Sequence, residues 1–150
     1  MSKFLRPFLC EILTPDGFRE RIEALSAVFP ARDGMVGVLG GRAPLVTTIG
    51  AGGLTVDAAG TAGQQKYFIA GGFARMCDDV LTVLAEECCP VSDLDGEEAW
   101  QEIQQARTMP AETADQVARR DELLHAARMK FNLIQERDGG PKSIDEIGEE

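Results

Sequence analysis

Residues 78–98, Asp-Asp-Val-Leu-Thr-Val-Leu-Ala-Glu-Glu-Cys-Cys-Pro-Val-Ser-Asp-Leu-Asp-Gly-Glu-Glu, contain the change of pattern that decides the fold. Before Pro90, residues 80–85 form a short apolar and β-branched run behind a turn signal, as strands do. After Pro90, Asp95 is followed three residues later by Glu98, which is typical of the start of a helix. The sequence therefore predicts strands before Pro90 and helices after it.

The chain before Pro90 consists of short apolar or alternating stretches separated by glycine-rich turns. The predicted strands are residues 8–13, 19–29, 34–39, 45–49, 54–56, 65–70 and 80–85. Strands at this spacing are typical of an antiparallel sandwich or barrel, and there are no helical stretches between them, which a parallel sheet would need. Within residues 19–29, an alternation of period two predicts that Ile22, Ala24, Ser26 and Val28 share one side.

The chain after Pro90 is rich in Ala, Glu, Gln, Arg and Leu, which favour helices. A first helix is predicted over residues 96–108, and a second over residues 111–137, with Pro110 at its opening. The apolar positions are Ala99, Ile103 and Ala106 in the first helix, and Val117, Leu124, Ala127, Phe131 and Ile134 in the second. Because the connection is short, the two helices should lie antiparallel as a hairpin.

The predicted fold class is mainly β plus α, with an N-terminal antiparallel β-sandwich followed by a C-terminal two-helix antiparallel hairpin. The sandwich domain covers residues 1–91 and the helical hairpin covers residues 92–137. Residues 138–150 are predicted to be an acidic flexible tail.

Composition excludes several classes of protein. Of 150 residues, 44% are apolar and 27% charged, as in a soluble globular chain. The net charge of −10 argues against nucleic-acid binding, which needs a basic face. No apolar run approaches the roughly 18 residues of a membrane-spanning helix, and no signal-peptide pattern is present. We therefore expect a soluble cytoplasmic chain that contacts no nucleic acid.

The residues that carry chemistry in enzymes form no motif. The four cysteines, Cys10, Cys77, Cys88 and Cys89, include no C-x-x-C pair, and we interpret them as reduced. His125 has no partner motif and is expected to be exposed on its helix. The glycine-rich residues 37–41 and 50–53 lack the Lys and Ser/Thr of a phosphate-binding loop. The carboxylate pairs Asp78-Asp79 and Glu86-Glu87 are interpreted as a turn or solvated edge. We predict no catalytic residue, no metal and no cofactor.

Four stretches carry a family resemblance. They are residues 10–15, Cys-Glu-Ile-Leu-Thr-Pro; residues 34–45, Gly-Met-Val-Gly-Val-Leu-Gly-Gly-Arg-Ala-Pro-Leu; residues 68–73, Phe-Ile-Ala-Gly-Gly-Phe; and residues 79–85, Asp-Val-Leu-Thr-Val-Leu-Ala. In this order and at this spacing, over residues 8–107, they resemble the epsilon subunit of F-type rotary ATP synthases. The second stretch is similar to that family's Gly-Glu-Leu-Gly-Ile/Val-Leu-Pro-Gly-His-Ala-Pro-Leu loop.

The resemblance implies a function as well as a fold. It implies a non-catalytic subunit at the foot of the central stalk, which binds the gamma subunit and the c-ring and turns with the rotor of a proton- or sodium-translocating enzyme. The protein would then be peripheral, held at the cytoplasmic face of the membrane through the complex. In the family the hairpin either folds against the sandwich or extends along gamma and opposes ATP hydrolysis, which implies a regulatory brake.

The resemblance also implies site residues. The c-ring-facing loops correspond to Arg32, Asp33, Met35 and Arg42, with Met35 and Arg42 in place of the family's glutamate and histidine. The alternative, that Gly40-Gly41-Arg42 is only a turn, is equally open. Regulatory contacts of the arm with the catalytic beta subunit would come from Arg119, Arg120, Arg128 and Lys130.

Some family members bind ATP through an Ile/Leu-Asp-x-x-Arg-Ala motif. The matching positions here are Leu94, Asp95, Glu98 and Ala99, so that a glutamate stands where the motif has its arginine. We expect Glu98 to repel a nucleotide triphosphate and to act as part of a helix cap. No tight ATP binding is therefore expected.

Two functions outside this family remain open from the residues alone. One is a stand-alone β-sandwich adaptor or binding module with a helical arm. The other is a small enzyme whose site is assembled from scattered residues, although no sequence motif supports it.

Overall fold

A computed structural model describes residues 6–60 and 63–139, and it divides after Pro90 into two compact units. The first unit contains seven strands: β1 (Phe8–Leu13), β2 (Arg19–Ala31), β3 (Gly34–Leu39), β4 (Leu45–Thr48), β5 (Gly52–Ala58), β6 (Gln64–Cys77) and β7 (Val80–Pro90). The second contains a 3-10 turn at Val91–Asp93 and two helices, α1 (Gly96–Arg107) and α2 (Ala114–Asp138). The predicted β-sandwich followed by two helices is confirmed.

The strands form one hydrogen-bonded sheet that returns on itself. Its order is β1-β7-β6-β5-β2-β3, β4 adds to β6, and β1 also pairs with β2. The long strands β2 and β6 each change neighbours along their length. β6 pairs with β5 near its start and with β4 near its end, so that it takes part in both layers of the sandwich.

One pairing departs from the predicted antiparallel arrangement. β1 and β7 run parallel, with Leu9 opposite Val80 and Leu13 opposite Leu84. No crossover helix is needed for this pair, because the whole domain between the two strands serves as the connection. The absence of helices between strands therefore does not exclude a parallel pair.

The prediction that Ile22, Ala24, Ser26 and Val28 share one side of β2 is wrong after Ala24. The pairing of β2 with β5 shifts register between Ala24 and Ser26, which marks a β-bulge. Ala24 is buried, and the next buried positions are Ala27 and Phe29, whereas Val28 is exposed. A bulge adds one residue and reverses which side chains face the core, so Val28 points outward.

The core of the sandwich draws side chains from all seven strands. Its buried members are Phe8, Cys10, Ile12, Ala24, Ala27, Phe29, Val38, Ile49, Leu54, Val56, Tyr67, Ile69, Ala74, Met76, Leu81, Val83, Ala85 and Cys88, with the partly buried Leu45 packed against them. All four cysteines carry thiols rather than disulfides. Burial stabilises the folded state by about 1.5–3 kcal/mol for each large side chain. Because these side chains pack closely, the sandwich is rigid.

The helices form the predicted antiparallel hairpin. Ala99 and Ile103 of α1 pack on Ala127, Phe131 and Ile134 of α2. Glu102 and Lys130 pair across the two helices at 3.1 Å, which fixes their register.

The start of α2 corrects the prediction. Pro110 precedes the helix rather than opening it, because Thr113 forms a capping box with Gln116 and so sets the first turn at Ala114. Of the predicted stripe, Val117 is only half-buried and does not belong to the hairpin core. The helix ends at Asp138, where Gly139 adopts φ +74°. Most of the predicted acidic tail lies outside the described residues.

Gly72 in β6 provides a test of the closed sheet. Its φ is +93°, and a Cβ there would lie 1.8 Å from the carbonyl oxygen of Leu84. Gly72→Ala should therefore destabilise the sandwich by more than about 3 kcal/mol, since backbone strain and a backbone clash combine. Gly60→Ala is the matched control, because Gly60 has φ +82° with open space around it, and should cost only about 1–2 kcal/mol. Chemical denaturation measures both variants, and equal losses would contradict the close approach.

The buried thiol of Cys10 gives a second test. Burial, and then the charge of Glu11, raises the pKa of Cys10 from 9.0 to about 12. The folded state thus favours the neutral thiol, and this contribution to stability is complete below pH 9 and is lost as the pH rises towards 12. At pH 8, a thiol-alkylating reagent should modify the half-buried Cys77 of the native chain but leave Cys10 unmodified until denaturant is added. Mass spectrometry reads the sites, and native modification of Cys10 would refute its burial.

Candidate functional site

The loops at the two ends of β3 contain the predicted ring-facing residues. Ala31 pairs with Gly34, so Arg32 and Asp33 form the two-residue turn that joins β2 to β3. Met35 follows at the start of β3 with an exposed fraction of 61%. β3 then runs six residues, about 20 Å at 3.3 Å per residue, before the loop that holds Arg42.

Arg42 folds back along β3. Its Nη1 donates a hydrogen bond to the carbonyl oxygen of Gly37 at 2.6 Å. This places the guanidinium two residues from Met35 along the strand, and the side chain remains exposed. The structure thus brings the Arg42 guanidinium to the middle of β3, between Leu39 at one end and Met35 with the Arg32-Asp33 turn at the other. One donor of the guanidinium is used inside the chain, and the rest of the planar group faces outward.

The outer face of β2 and β3 is apolar beside this guanidinium. Leu39 is 51% exposed and Val28 is 38% exposed, and their cross-strand partners are Ser26 and Gly37. Because cross-strand partners share a face, Val28, Met35 and Leu39 form one surface, which we call the β3 patch together with Arg42. Leu39, Gly37 and the Gly40–Arg42 loop line an open groove of about 270 Å³ on it.

Sequence reasoning missed Val28 and Leu39 for different reasons. Val28 faces outward only because of the bulge, and no residue type in β2 predicts that bulge from the sequence. Leu39 was recoverable, since Met35, Gly37 and Leu39 alternate with the more buried Val36 and Val38.

A second exposed apolar patch lies on β4, β6 and β7. Its members are Val46, Phe73 and Leu84, with exposed fractions of 68%, 54% and 48%. Phe73 lies opposite Leu84 on one side and Thr48 on the other. We call this surface the β6 patch. Exposed apolar clusters on a well-packed body are typical of contact surfaces for other proteins.

The turn between β6 and β7 also meets the Arg42 loop. Asp78 and Asp79 have φ of 50° and 60°, which makes a two-residue hairpin turn between the paired residues Cys77 and Val80. The carboxylate of Asp79 accepts a hydrogen bond from the backbone N–H of Gly41 at 2.8 Å and pairs with the guanidinium of Arg6. The interpretation of Asp78-Asp79 as a turn is correct. The sequence did not predict that Asp79 also binds the loop between β3 and β4.

The predicted contacts of the arm are partly engaged within the hairpin. Arg120 pairs with the neighbouring Asp121 at 3.1 Å. Lys130, with a side chain only 13% exposed, pairs with Glu102 and serves the helix–helix contact. Arg119 is exposed. Arg128 is half-buried, and its buried Nε has no hydrogen-bond partner among residues 6–60 and 63–139. Arg119 is therefore the member of this set best placed to meet another protein.

The residues that match the nucleotide motif serve the hairpin. Asp95 is the N-cap of α1 and accepts from the backbone N–H of Glu97 at 2.9 Å. Ala99 is buried against α2, and Glu98 is exposed. The side chain that caps α1 is that of Asp95, and Glu98 lies in the first turn, where its negative charge favours the start of the helix.

Other candidate chemistry finds no arrangement in the described part of the chain. No group of three or more His, Cys, Asp or Glu side chains there is placed to hold a metal ion. His125 lies exposed on α2, as expected. None of the described helices combines the length and apolar character needed to cross a bilayer.

Comparison with known proteins gives a consistent result. Residues 7–91 match the family model of the ATP synthase delta/epsilon chain β-sandwich domain. An ATP synthase epsilon chain of Rhodopirellula baltica is 36% identical over 119 residues, covering 79% of this chain and 91% of that protein. The epsilon chain of Mesorhizobium japonicum is 33% identical over 112 residues, covering 75% of this chain and 82% of that protein.

Solved structures share the fold. A chain of the mitochondrial ATP synthase of Euglena gracilis, determined with OSCP, F1 and the c-ring, superposes with a TM-score of 0.71 at 19% identity, covering 85% of this chain and 81% of that one. A chain from the central stalk and c-ring of the Tetrahymena thermophila enzyme gives 0.66 at 7% identity, covering 87% and 98%. Together with the family model and the relatives above, the architecture of seven strands and a helical hairpin shows that the chain belongs to the delta/epsilon chain family of ATP synthases.

Proposed function

We propose that the protein is a non-catalytic rotor subunit of an F-type ATP synthase, which couples the gamma subunit to the c-ring. The observation that carries this proposal is the presence of two exposed apolar patches on one closed sandwich. A part that transmits torque needs a stiff body and two contact surfaces, and it needs no reacting group. Attachment to the membrane then runs through the complex.

We assign the β3 patch to the c-ring and the β6 patch to gamma. The β3 patch combines Met35 and Leu39 with the donors of Arg42, which suits a polar loop that presents carbonyl or carboxylate oxygens. The β6 patch brings Val46, Phe73 and Leu84 together from three strands, with the exposed Arg75 opposite Val46, and suits a protein interface with an apolar centre and a polar margin. Arg32 and Asp33 lie at the tip of the same hairpin as Met35 and extend the ring-facing surface.

We further propose that the hairpin restrains ATP hydrolysis when it contacts the catalytic beta subunit. Arg119 supplies an exposed cation for an acidic loop, while Arg120, Arg128 and Lys130 contribute once their intrachain contacts rearrange. Two arrangements of the hairpin act as a switch only when their free energies differ by a few kcal/mol. The supporting observation is that the hairpin has its own small core, formed by α1 and α2.

Arg42→Glu tests the ring contact. The change removes donors and reverses the charge, so binding to membrane-embedded c-ring should weaken about tenfold or more, since a hydrogen bond to a charged group contributes about 1.5–3 kcal/mol. Pull-down of the assembled stalk on ring-containing membranes, together with coupled ATP synthesis, measures the effect. Arg19→Glu at the start of β2 is the matched control, because Arg19 is also exposed and lies outside the β3 patch. Equal binding by both variants and the original chain would exclude Arg42 from the contact.

Removal of residues 92–150 tests the brake. The assembled enzyme should then hydrolyse ATP several-fold faster, because the hairpin that opposes rotation is gone, while coupling through the sandwich persists. The control removes only residues 140–150, which leaves both α1 and α2 complete. ATPase assays on the assembled complex decide the matter, and unchanged hydrolysis in the longer deletion would show that the hairpin is inert.

A further inference from the structure

Two stretches of the sandwich that are far apart in sequence converge on one residue of the β6–β7 turn, Asp79. Its backbone carbonyl oxygen accepts from the N–H of Leu9 at 3.0 Å, its Oδ1 accepts from the N–H of Gly41 at 2.8 Å, and its Oδ2 pairs with Arg6. We call Arg6, Leu9, Gly41 and Asp79 the Asp79 junction. It ties the chain at the start of β1 and the β3–β4 loop to the β6–β7 turn, through one carboxylate and one backbone carbonyl.

The junction is specific to the second residue of the turn. Asp78 and Asp79 share the left-handed backbone conformation, but the Asp78 side chain is exposed and receives only a long contact from the thiol of Cys77 at 3.6 Å. The side chain of Asp79 is 24% exposed and has two partners from distant parts of the chain. The same residue type in the same turn thus has two different roles.

The loop that the junction holds contains two residues of high conformational freedom, and the Asp79 bond acts on it together with the bond from Arg42 to the Gly37 carbonyl oxygen. Gly40 and Gly41 are adjacent glycines, and Gly41 adopts φ +80°. Gly40 lies so close to the segment before β1 that a Cβ would come within 1.9 Å of the carbonyl oxygen of Arg6. Two consecutive glycines sample more conformations than other residues, and the fixed bond to Asp79 removes that freedom before any partner arrives.

We propose that Asp79 is a positioning residue, which holds the Gly40–Gly41 loop so that Arg42 lies on the β3 patch in a form ready to bind oxygen acceptors of a polar partner loop. The inference rests on the proposed ring contact of Arg42. The carboxylate of Asp79 is directed at Gly41 and Arg6 within the chain. Its effect reaches the interface through the chain, from the Gly41 N–H to the adjacent Arg42.

Asp79→Gly and Asp78→Gly form a matched pair for the test. Each places glycine at a position of positive φ, which relieves backbone strain and favours folding, but only Asp79→Gly removes the carboxylate that holds Gly41 and Arg6, while the backbone bond to Leu9 remains. In the full-length chain, amide hydrogen exchange at Gly41 should become about tenfold faster or more in Asp79→Gly and stay unchanged in Asp78→Gly. Binding to ring-containing membranes should weaken about threefold to tenfold in Asp79→Gly alone. Asp79→Asn keeps an oxygen acceptor for Gly41, so its exchange should remain closer to that of the original chain.

The two readouts separate the inference from the proposed function. Unchanged exchange at Gly41 in Asp79→Gly would overturn the junction. Faster exchange with undiminished ring binding, in an assay where Arg42→Glu detaches, would overturn the positioning role while the ring contact stands. If Arg42→Glu and Asp79→Gly both bind as well as the original chain, the β3 patch is not the contact and the positioning role falls with it.

Discussion

Closure of the sheet by β1 is the interaction on which the sandwich depends. β1 pairs with β2 on one side and β7 on the other, and Cys10 and Ile12 on its inner face are fully buried. Because Leu9 lies beside Val80, the residues just before β1 reach the β6–β7 turn, where Arg6 meets Asp79. The packing of a single strand therefore also sets the position of the loop that carries Arg42.

The closed sheet explains how one small body presents two exposed apolar patches. β2 and β6 pass through both layers, and a bulge in β2 and two glycines of positive φ in β6 make the necessary bends. The bulge turns Val28 outward onto the β3 patch, and the bend in β6 is followed at once by Phe73 of the β6 patch. The features that close the sheet thus also expose the apolar side chains proposed to bind its partners.

The helical unit is held together by a much smaller apolar core than the sandwich. Its core consists of Ala99, Ile103, Ala127, Phe131 and Ile134, with Leu94, Trp100 and Leu124 at its margin, far fewer side chains than the sandwich contains. A hairpin with a small core and charged surfaces opens at lower free energy than a closed sheet. This asymmetry is consistent with the proposed functions, in which the sandwich is the rigid coupling body and the hairpin is the regulatory arm.

Much of the architecture follows from local pattern. Period-two stretches, turn residues and the helix-forming composition after Pro90 by themselves determined the strands, the Asp78-Asp79 turn and the buried Ala99 and Ile103, because backbone preference and amphipathic spacing act between near neighbours. The capping box that starts α2 was equally local, although Pro110 was the misleading signal. Only the tertiary structure decided the parallel β1–β7 pair, the outward turn of Val28 and the partners of Asp79. Each of these depends on segments that are far apart in sequence and that closure of the sheet brings together. Local backbone preferences do not predict contacts between such segments.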